Sequence, residues 1–559
     1  MSPGLTPAQR GKSPWVGVVA VAVGLSGLLH LSIALHLPRQ WMVDQLENWT
    51  PFHIALRSQA LLLLSACGQL ALGRGLWRRK RAAWAGAVGV LAVTPLLHIG
   101  RDFDWRDAVM SLLPLGLLVW QRRHFIARSD RGSVRWAWII GLPAFAGLLV
   151  FGFLAVRHYG VQARGDHSTL GTIQTVFELI FLQSTDTLRT TTQQAQAAFF
   201  GVSFAGGAFG LLVLALILRP VFPERGPTPA ERQRVRHIID EHGGNPFDEF
   251  ALAADKHYFF SSTNRSVVVF ALWRNFALTL SDPIGPADER GRAVEEFVAH
   301  CEAQDWDPVF YEIGPAQTEI YERLGFKIRK IGEQARIPLA KYVLKGAKFQ
   351  DLRTACNRAA REGYSFRWYP GEGPVDKAIE AGLRKTSEAW LRAKHGREMA
   401  FDMGSFDLEQ IRLHGAAVAL NAESRVDAFA TWLPYKKGRG RCIDLMRHRS
   451  STMPGLMDFV LTESIKTFQA RGLEEVCLAN APLANTAPPE NPHDRAMRYI
   501  YRNFNRLYGY KSLFEFKKKY QPEWHGSYLA YRNTARLPLI GYAMVSIHVP
   551  GGLLKLLRS

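Results

Sequence analysis

Cysteine is scarce: the 559 residues hold five, Cys67, Cys301, Cys356, Cys442 and Cys477, with no CxxC spacing and no histidine beside them. That excludes a fold built on disulfides and a cysteine-ligated zinc site. Acidic residues are nearly missing from the first 222 positions, which carry 9 of the chain's 49 Asp and Glu but 20 of its 69 Lys and Arg. A uniformly soluble chain would spread its acids evenly, so this one divides into an apolar part and a charged part. No chain of Asp, Glu or His runs along the apolar segments, which argues against an ion-coupled pump. Motifs of simple hydrolases are missing as well. There is no HExxH, Gly11-Lys12-Ser13 has Thr6 where a phosphate loop needs glycine, and Gly201-Val202-Ser203-Phe204-Ala205 lacks the second glycine of a nucleophile elbow.

What is present in the first part is a series of long apolar runs: Trp15 to His36, Ile54 to Leu76, Ala82 to Ile99, Ala108 to Trp120, Val134 to Val156 and Ala198 to Val221. A bilayer core takes about 20 apolar residues, so we read about six spans, the fourth being short. The loop Trp77-Arg78-Arg79-Lys80-Arg81 and the Arg122 to Arg135 stretch are rich in arginine, whereas Arg101 to Asp107 has no basic excess. Retention of positive charge on the inner side then places the N-terminus, both arginine-rich loops and everything after the last span in the cytoplasm. The outer connection contains an apolar stretch, Thr175 to Leu182, expected to be a loop helix, with a re-entrant or interfacial helix as the alternative.

After the joint Arg219-Pro220-Val221-Phe222-Pro223 the periodicity changes. Short apolar runs at Ser266 to Trp273 and Asn275 to Leu280 predict strands, Ala293 to Ala303 a helix, Val309 to Ile313 a strand, and a further helix leads to Leu324-Gly325-Phe326-Lys327. The same order recurs as Asp427 to Leu433, Cys442 to Met446, a helix over Leu456 to Ala470, Glu475 to Leu478 and Tyr508-Gly509-Tyr510-Lys511. Asp282-Pro283-Ile284-Gly285 stands where Asp444-Leu445-Met446-Arg447 stands in the second copy. We read two tandem copies of one α/β unit. The expected division is 1–222 membrane, 223–340 first unit, 341–533 second and catalytic unit, and 534–559 an apolar tail lying on the membrane or against the domain.

The unit resembles the GNAT acyltransferase fold. Five phrases in order, Ser281-Asp282-Pro283-Ile284-Gly285-Pro286, Leu352 to Tyr364, Ile443 to His448, Met457-Asp458-Phe459 and Phe516 to Trp524, are similar to the synthase region of the aminoacyl-phosphatidylglycerol synthases, the multiple peptide resistance factor family. The resemblance covers most of 230 to 531. It implies an enzyme of the inner membrane that transfers an aminoacyl group, expected to be lysyl, from aminoacyl-tRNA to phosphatidylglycerol, with no cofactor and no metal. Full-length members carry about twice as many spans, including a lipid-flipping module. The alternatives are a lipid transporter with a regulatory cytoplasmic domain, or a coenzyme A or peptidoglycan-directed transferase of the same fold. The nearest coenzyme A signature, Tyr435-Lys436-Lys437-Gly438-Arg439-Gly440, begins with the wrong residue.

Such an enzyme must attract a polyanion, admit a lipid headgroup and stabilise an oxyanion. Positive charge in the soluble part gathers in three windows, 341–362, 434–449 and 494–519. In the first, Arg353, Asn357 and Arg361 recur every four residues with Arg358 at the edge, making a polar helix stripe suited to phosphate or simply to solvent. In the second, Asp444 and Arg447 flank Leu445-Met446 at a strand end. The carboxylate suits deprotonation of a hydroxyl or orientation of an amine, and Arg447 suits phosphate or an oxyanion; a structural ion pair is the other reading. In the third, Lys517 and Lys519 share a face if the segment is a strand. Asp444, Arg447 and Lys519 are therefore the candidate catalytic residues. Arg353, Asn357, Arg358, Arg361, Lys511 and Lys517 are the candidates for binding tRNA or lipid phosphate.

Overall fold

A computed structural model describes residues 14–34, 59–101, 115–127, 131–158, 169–177, 179–180, 193–218, 226–370, 375–393, 398–482 and 510–549, with scattered positions between 484 and 499. It divides into two compact units, residues 1–222 with 302–306, and the rest of 223–559.

The first unit is helical. Its elements are α1 (Pro14–Ala34), α2 (Gln59–Trp77), α3 (Arg81–Arg101), α4 (Arg131–His158), the short α5 (Thr169–Phe177) and α6 (Gln193–Ile217). All but α5 fall on five of the six apolar runs, and α5 overlaps the helix expected over Thr175 to Leu182 at residues 175–177. Of the fourth run only residues 115–120 are described as helix; they are tied to α3 by Trp84 Nε1–H donating to Leu118 O at 2.8 Å. Among the described residues two segments, Ile139–His158 and Ala197–Ile217, are long and apolar enough to cross a membrane. Glycines let α1 and α2 approach closely: a Cβ on Gly27 would meet Ala66 O at 3.1 Å, and one on Gly73 would meet Ala20 O at 3.1 Å.

The second unit is built on one 11-stranded sheet. Thr228 and Glu231 form a reciprocal cap on α7 (Pro229–His242). Strands β1 (His257–Phe260), β2 (Val267–Trp273) and β3 (Phe276–Leu280) follow as an antiparallel meander. Helix α8 (Arg290–Gln304), buried through Val294, Phe297, Val298 and Cys301, crosses to β4 (Asp307–Ile313), parallel to β3. The short α9 (Thr318–Arg323) leads into the long β5 (Lys327–Pro338). The chain continues as α10 (Gln350–Arg361), β6 (Ser365–Tyr369), α11 (Lys377–Ala393), α12 (Leu408–His414), β7 (Ala416–Leu420), β8 (Val426–Tyr435), β9 (Gly440–His448) and α13 (Leu456–Ala470). It ends in β10 (Glu475–Pro482), α14 (Tyr510–Lys518), β11 (Glu523–Tyr531) and α15 (Leu537–His548).

The duplication is visible in this order. Elements β2-β3-α8-β4-α9-β5 recur as β8-β9-α13-β10-α14-β11, each with a parallel pair, β3 with β4 and β9 with β10. The copies also exchange their last strands, because the sheet runs β1-β2-β3-β4-β11-β5-β10-β9-β8-β7-β6. Strand β11 lies between β4 and β5, and β5 lies between β11 and β10. Side chains follow the exchange. Leu529 and Tyr531 of β11 are buried in the first copy's core, and Ala335 and Ile337 of β5 in the second's. Helix α15, expected on the membrane or against the domain, takes the second place: Leu537, Ile540, Ala543 and Met544 lie in the first copy's core.

Candidate functional site

Parallel strands β9 and β10 pair at three positions, ending at Cys442↔Cys477, and then part. Strand β10 is irregular there, with a register break between Cys477 and Asn480 and Ala479 at φ 57°. A gap between diverging strands cannot be closed by backbone hydrogen bonds, and a cavity of about 210 Å3 opens in it. Its walls include Asp444 and Arg447 from β9, Asn480 from β10, Glu312 from β4, Trp390 from α11, Asp402 and Gly404 from the segment before α12, Lys517 from α14 and His548 from α15. Both copies therefore supply it.

Asp444 accepts a hydrogen bond from Thr431 Oγ1 at 2.9 Å and lies against the Gly404 backbone. Burial raises its pKa to about 6, against the pull of Thr431 and of the Arg447 charge. Arg447 does not pair with Asp444. Its guanidinium grips Glu398 with two prongs, Nη1 to Oε1 at 2.9 Å and Nη2 to Oε2 at 2.6 Å, donates to Ser387 Oγ at 2.7 Å and stacks 5.0 Å from the Trp390 ring centroid. Lys517 is buried and donates to the Asn480 carbonyl at 2.5 Å; burial lowers its pKa to about 8.

A second polar group shares the cavity. Asn480 Nδ2 donates to Glu312 Oε1, and His548 bonds Asp402 while its Nδ1 lies 2.5 Å from Met544 O. Burial, then the Asp402 charge, push the Glu312 carboxyl well up. Burial opposes charge on both Asp402 and His548, but their mutual attraction outweighs it, holding the carboxyl low and the imidazole high. Asn480 Oδ1 is buried with no donor among the described residues.

The cavity thus brings together Asp444, Arg447 and Lys517, and its described lining does not include Lys519, Arg353, Asn357, Arg358 or Arg361. The segment expected as a strand bearing Lys517 and Lys519 is the last turn of helix α14, which ends at Lys518, followed by a turn at Lys519, so the two lysines do not share a strand face. Lys519 instead pairs with Asp458 at 3.0 Å, beside Tyr520, whose OH donates to the same carboxylate at 3.1 Å. On α10, Leu352, Ala355 and Ala359 face the core. Arg353 is spent on the carbonyls of Leu344 and Gly346 (3.2 and 2.8 Å), Arg358 pairs with Glu362 at 2.6 Å, and Asn357 and Arg361 are exposed. The side chain of Lys511 lies outside the described residues. Sequence reasoning missed Glu312, Glu398, Asp402, Asn480 and His548. They come from four separate segments with no shared motif; the one available signal was a histidine, His548, inside the apolar tail.

A duplicated α/β domain with exchanged terminal strands and a charged cavity where two parallel strands part defines the structural class. Residues 236–531 match the family described as phosphatidylglycerol lysyltransferase, C-terminal, and the chain belongs to that family. A phosphatidylglycerol lysyltransferase of Bacillus subtilis is 31% identical over 310 residues, a match covering 55% of this chain and 36% of that protein. An uncharacterised protein of Corynebacterium glutamicum is 26% identical over 515 residues, covering 86% of this chain and 63% of that one. Matching thus spans less than two thirds of either relative. Among solved structures, L-PGS from Bacillus licheniformis superposes with a TM-score of 0.52 at 27% identity, over 58% of this chain and 97% of that one. The C-terminal domain of a putative lysylphosphatidylglycerol synthetase from Agrobacterium fabrum gives 0.50 at 26% identity, over 57% and 98%.

Proposed function

We propose that this protein transfers an aminoacyl group, lysyl in our reading, from aminoacyl-tRNA to a glycerol hydroxyl of phosphatidylglycerol, and that its first unit crosses the inner membrane several times with the second unit in the cytoplasm. The observation that carries this reading is the position of Asp444, Lys517 and Asn480 on one cavity inside the family-matched segment. In the reaction the glycerol oxygen attacks the ester carbonyl, the new C–O bond forms, and the bond to the tRNA ribose oxygen breaks. Asp444, with a pKa of about 6, is ionised at neutral pH and takes the proton of the attacking hydroxyl. Lys517, with a pKa of about 8, is mostly protonated there; it stabilises the oxyanion and supplies the proton that the leaving ribose oxygen needs. Asn480 Oδ1 is an acceptor for the substrate's amine, and the Arg447 fork with Glu398 fixes the cavity wall.

The product carries less negative charge than its parent and weakens attraction of cationic peptides to the membrane. Expression in a bacterium lacking aminoacylated lipids, followed by thin-layer separation of lipid extracts, tests this. A new ninhydrin-positive phospholipid is expected with the native chain and not with Asp444→Asn. Failure of any such lipid to form would refute the reading, and headgroup translocation without synthesis would favour a transporter.

A further inference from the structure

The first copy has a cavity where its own parallel strands end. Pairing of β3 with β4 stops at Leu280↔Tyr311, as pairing of β9 with β10 stops at Cys442↔Cys477. Two residues beyond the last pair stand Asp282 in one copy and Asp444 in the other; three residues beyond it on the partner strand stand Gly314 and Asn480. The phrase Ser281 to Pro286 is therefore the first copy's counterpart of the Asp444 strand end, and Asp282, Pro283 and Ile284 line a cavity of about 330 Å3 together with Asp248, Arg290 and Arg336.

The carboxylates here hold the walls. Asp282 accepts from the Gly314 N–H and the Tyr321 hydroxyl, both at 2.8 Å, and Asp248 accepts from the Gly244 and Asn245 N–H groups at 2.8 and 2.9 Å. The arginines are less committed. Arg290 donates through Nε to Gly285 O at 3.2 Å, and among the described residues no acceptor holds its terminal amino groups. Arg336 bonds the neutral Gln334 side chain and stands 3.8 Å from Glu475. Guanidinium forks suit phosphate, and carboxylate oxygens suit hydroxyl donors. The lining includes no Phe, Tyr or Trp on which a nucleobase would stack.

We propose that this first-copy cavity is a second binding site, for a glycerophosphate group, with the phosphate on Arg290 and Arg336 and the glycerol hydroxyls on Asp248 and Asp282. It rests on the proposed function only in taking the lipid headgroup as the source of that group. Ala316, exposed at the rim, gives a local readout. The full-length Ala316→Cys chain in detergent is labelled with a maleimide, and modification of this residue is followed by mass spectrometry. Glycerophosphoglycerol, the deacylated headgroup, is expected to slow labelling about tenfold, and AMP to leave it unchanged. Added Arg290→Gln or Arg336→Gln removes the protection, whereas added Asp444→Asn keeps it. No slowing, equal slowing in both arginine variants, loss of protection with Asp444→Asn, or stronger slowing by AMP would each overturn the proposal. Aminoacyl lipid formation measured on the same preparation separates the two readings. Product without protection rejects this site alone, and protection without product rejects the proposed function alone.

Discussion

The Asp444 carboxylate packs so closely on Gly404 that a Cβ at residue 404 would sit 1.7 Å from Asp444 Oδ1. No side chain other than hydrogen fits while the carboxylate keeps its place. Gly404→Ala must therefore push Asp444 out of line. We expect a loss of about 100-fold in the transfer rate, the scale of a 1 Å misplacement, with the fold retained by circular dichroism.

Asp444 itself costs stability. Its pKa is raised to about 6 from the usual 3.8, so the folded chain binds that proton more tightly than the unfolded one, and stability falls as pH rises through this window. The cost is fully present above pH 6. Asp444→Asn is expected to abolish transfer yet raise stability at pH 7.5 by on the order of 2 kcal/mol after allowance for partial exposure, seen as a higher melting temperature. Melting curves from pH 4 to 7.5 check this: the gap between variant and native chain should open as pH rises.

Lys517 has the opposite charge and a related cost. Burial lowers its pKa to about 8, so below pH 8 the folded chain carries an ammonium in a poorly solvated place, and the penalty disappears as pH climbs towards the unfolded value of 10.5. Lys517→Met should melt higher than the native chain at pH 7, with the difference shrinking between pH 8 and 10.5. Transfer by the native chain should decline above pH 8 as the ammonium deprotonates.

The strand exchange predicts how the domain assembles. Residues 226–339 alone lack β11, which separates β4 from β5, and leave Ile331 and Tyr311 without Leu529 and Tyr531 beside them in the core. Each fragment expressed alone, 226–339 or 340–549, should be insoluble, and co-expression should give a soluble 1:1 complex seen by size-exclusion chromatography. Two independently soluble fragments would contradict the exchange.

The duplication was legible because each copy repeats the same alternation of periods, and residue for residue Asp282 and Asp444 fall at equivalent strand ends. The exchange of β5 and β11 was not, since each strand's local pattern is the same whichever neighbour it takes, and pairing between residues as far apart as Lys327 and Tyr531 leaves no local trace. Asp444 and Arg447 were found from their place at a strand end. The alternative reading of the two as a structural ion pair does not hold: Arg447 reaches Glu398, a residue in a stretch without periodicity. Lys519 misled because Lys517 and Lys519 stand two apart, as neighbours on one strand face do, whereas Phe516 and Tyr520, four apart, both pack on the second core at helical spacing, and helix α14 runs to Lys518.

The most direct test of the account is transfer in a defined system: purified full-length chain, vesicles containing phosphatidylglycerol, and tRNA charged with radiolabelled lysine. Label is expected in the lipid phase with the native chain, none with Asp444→Asn, and none after the charged tRNA is treated with ribonuclease. Label appearing equally with Asp444→Asn, or no lipid label from any charged tRNA, would contradict it.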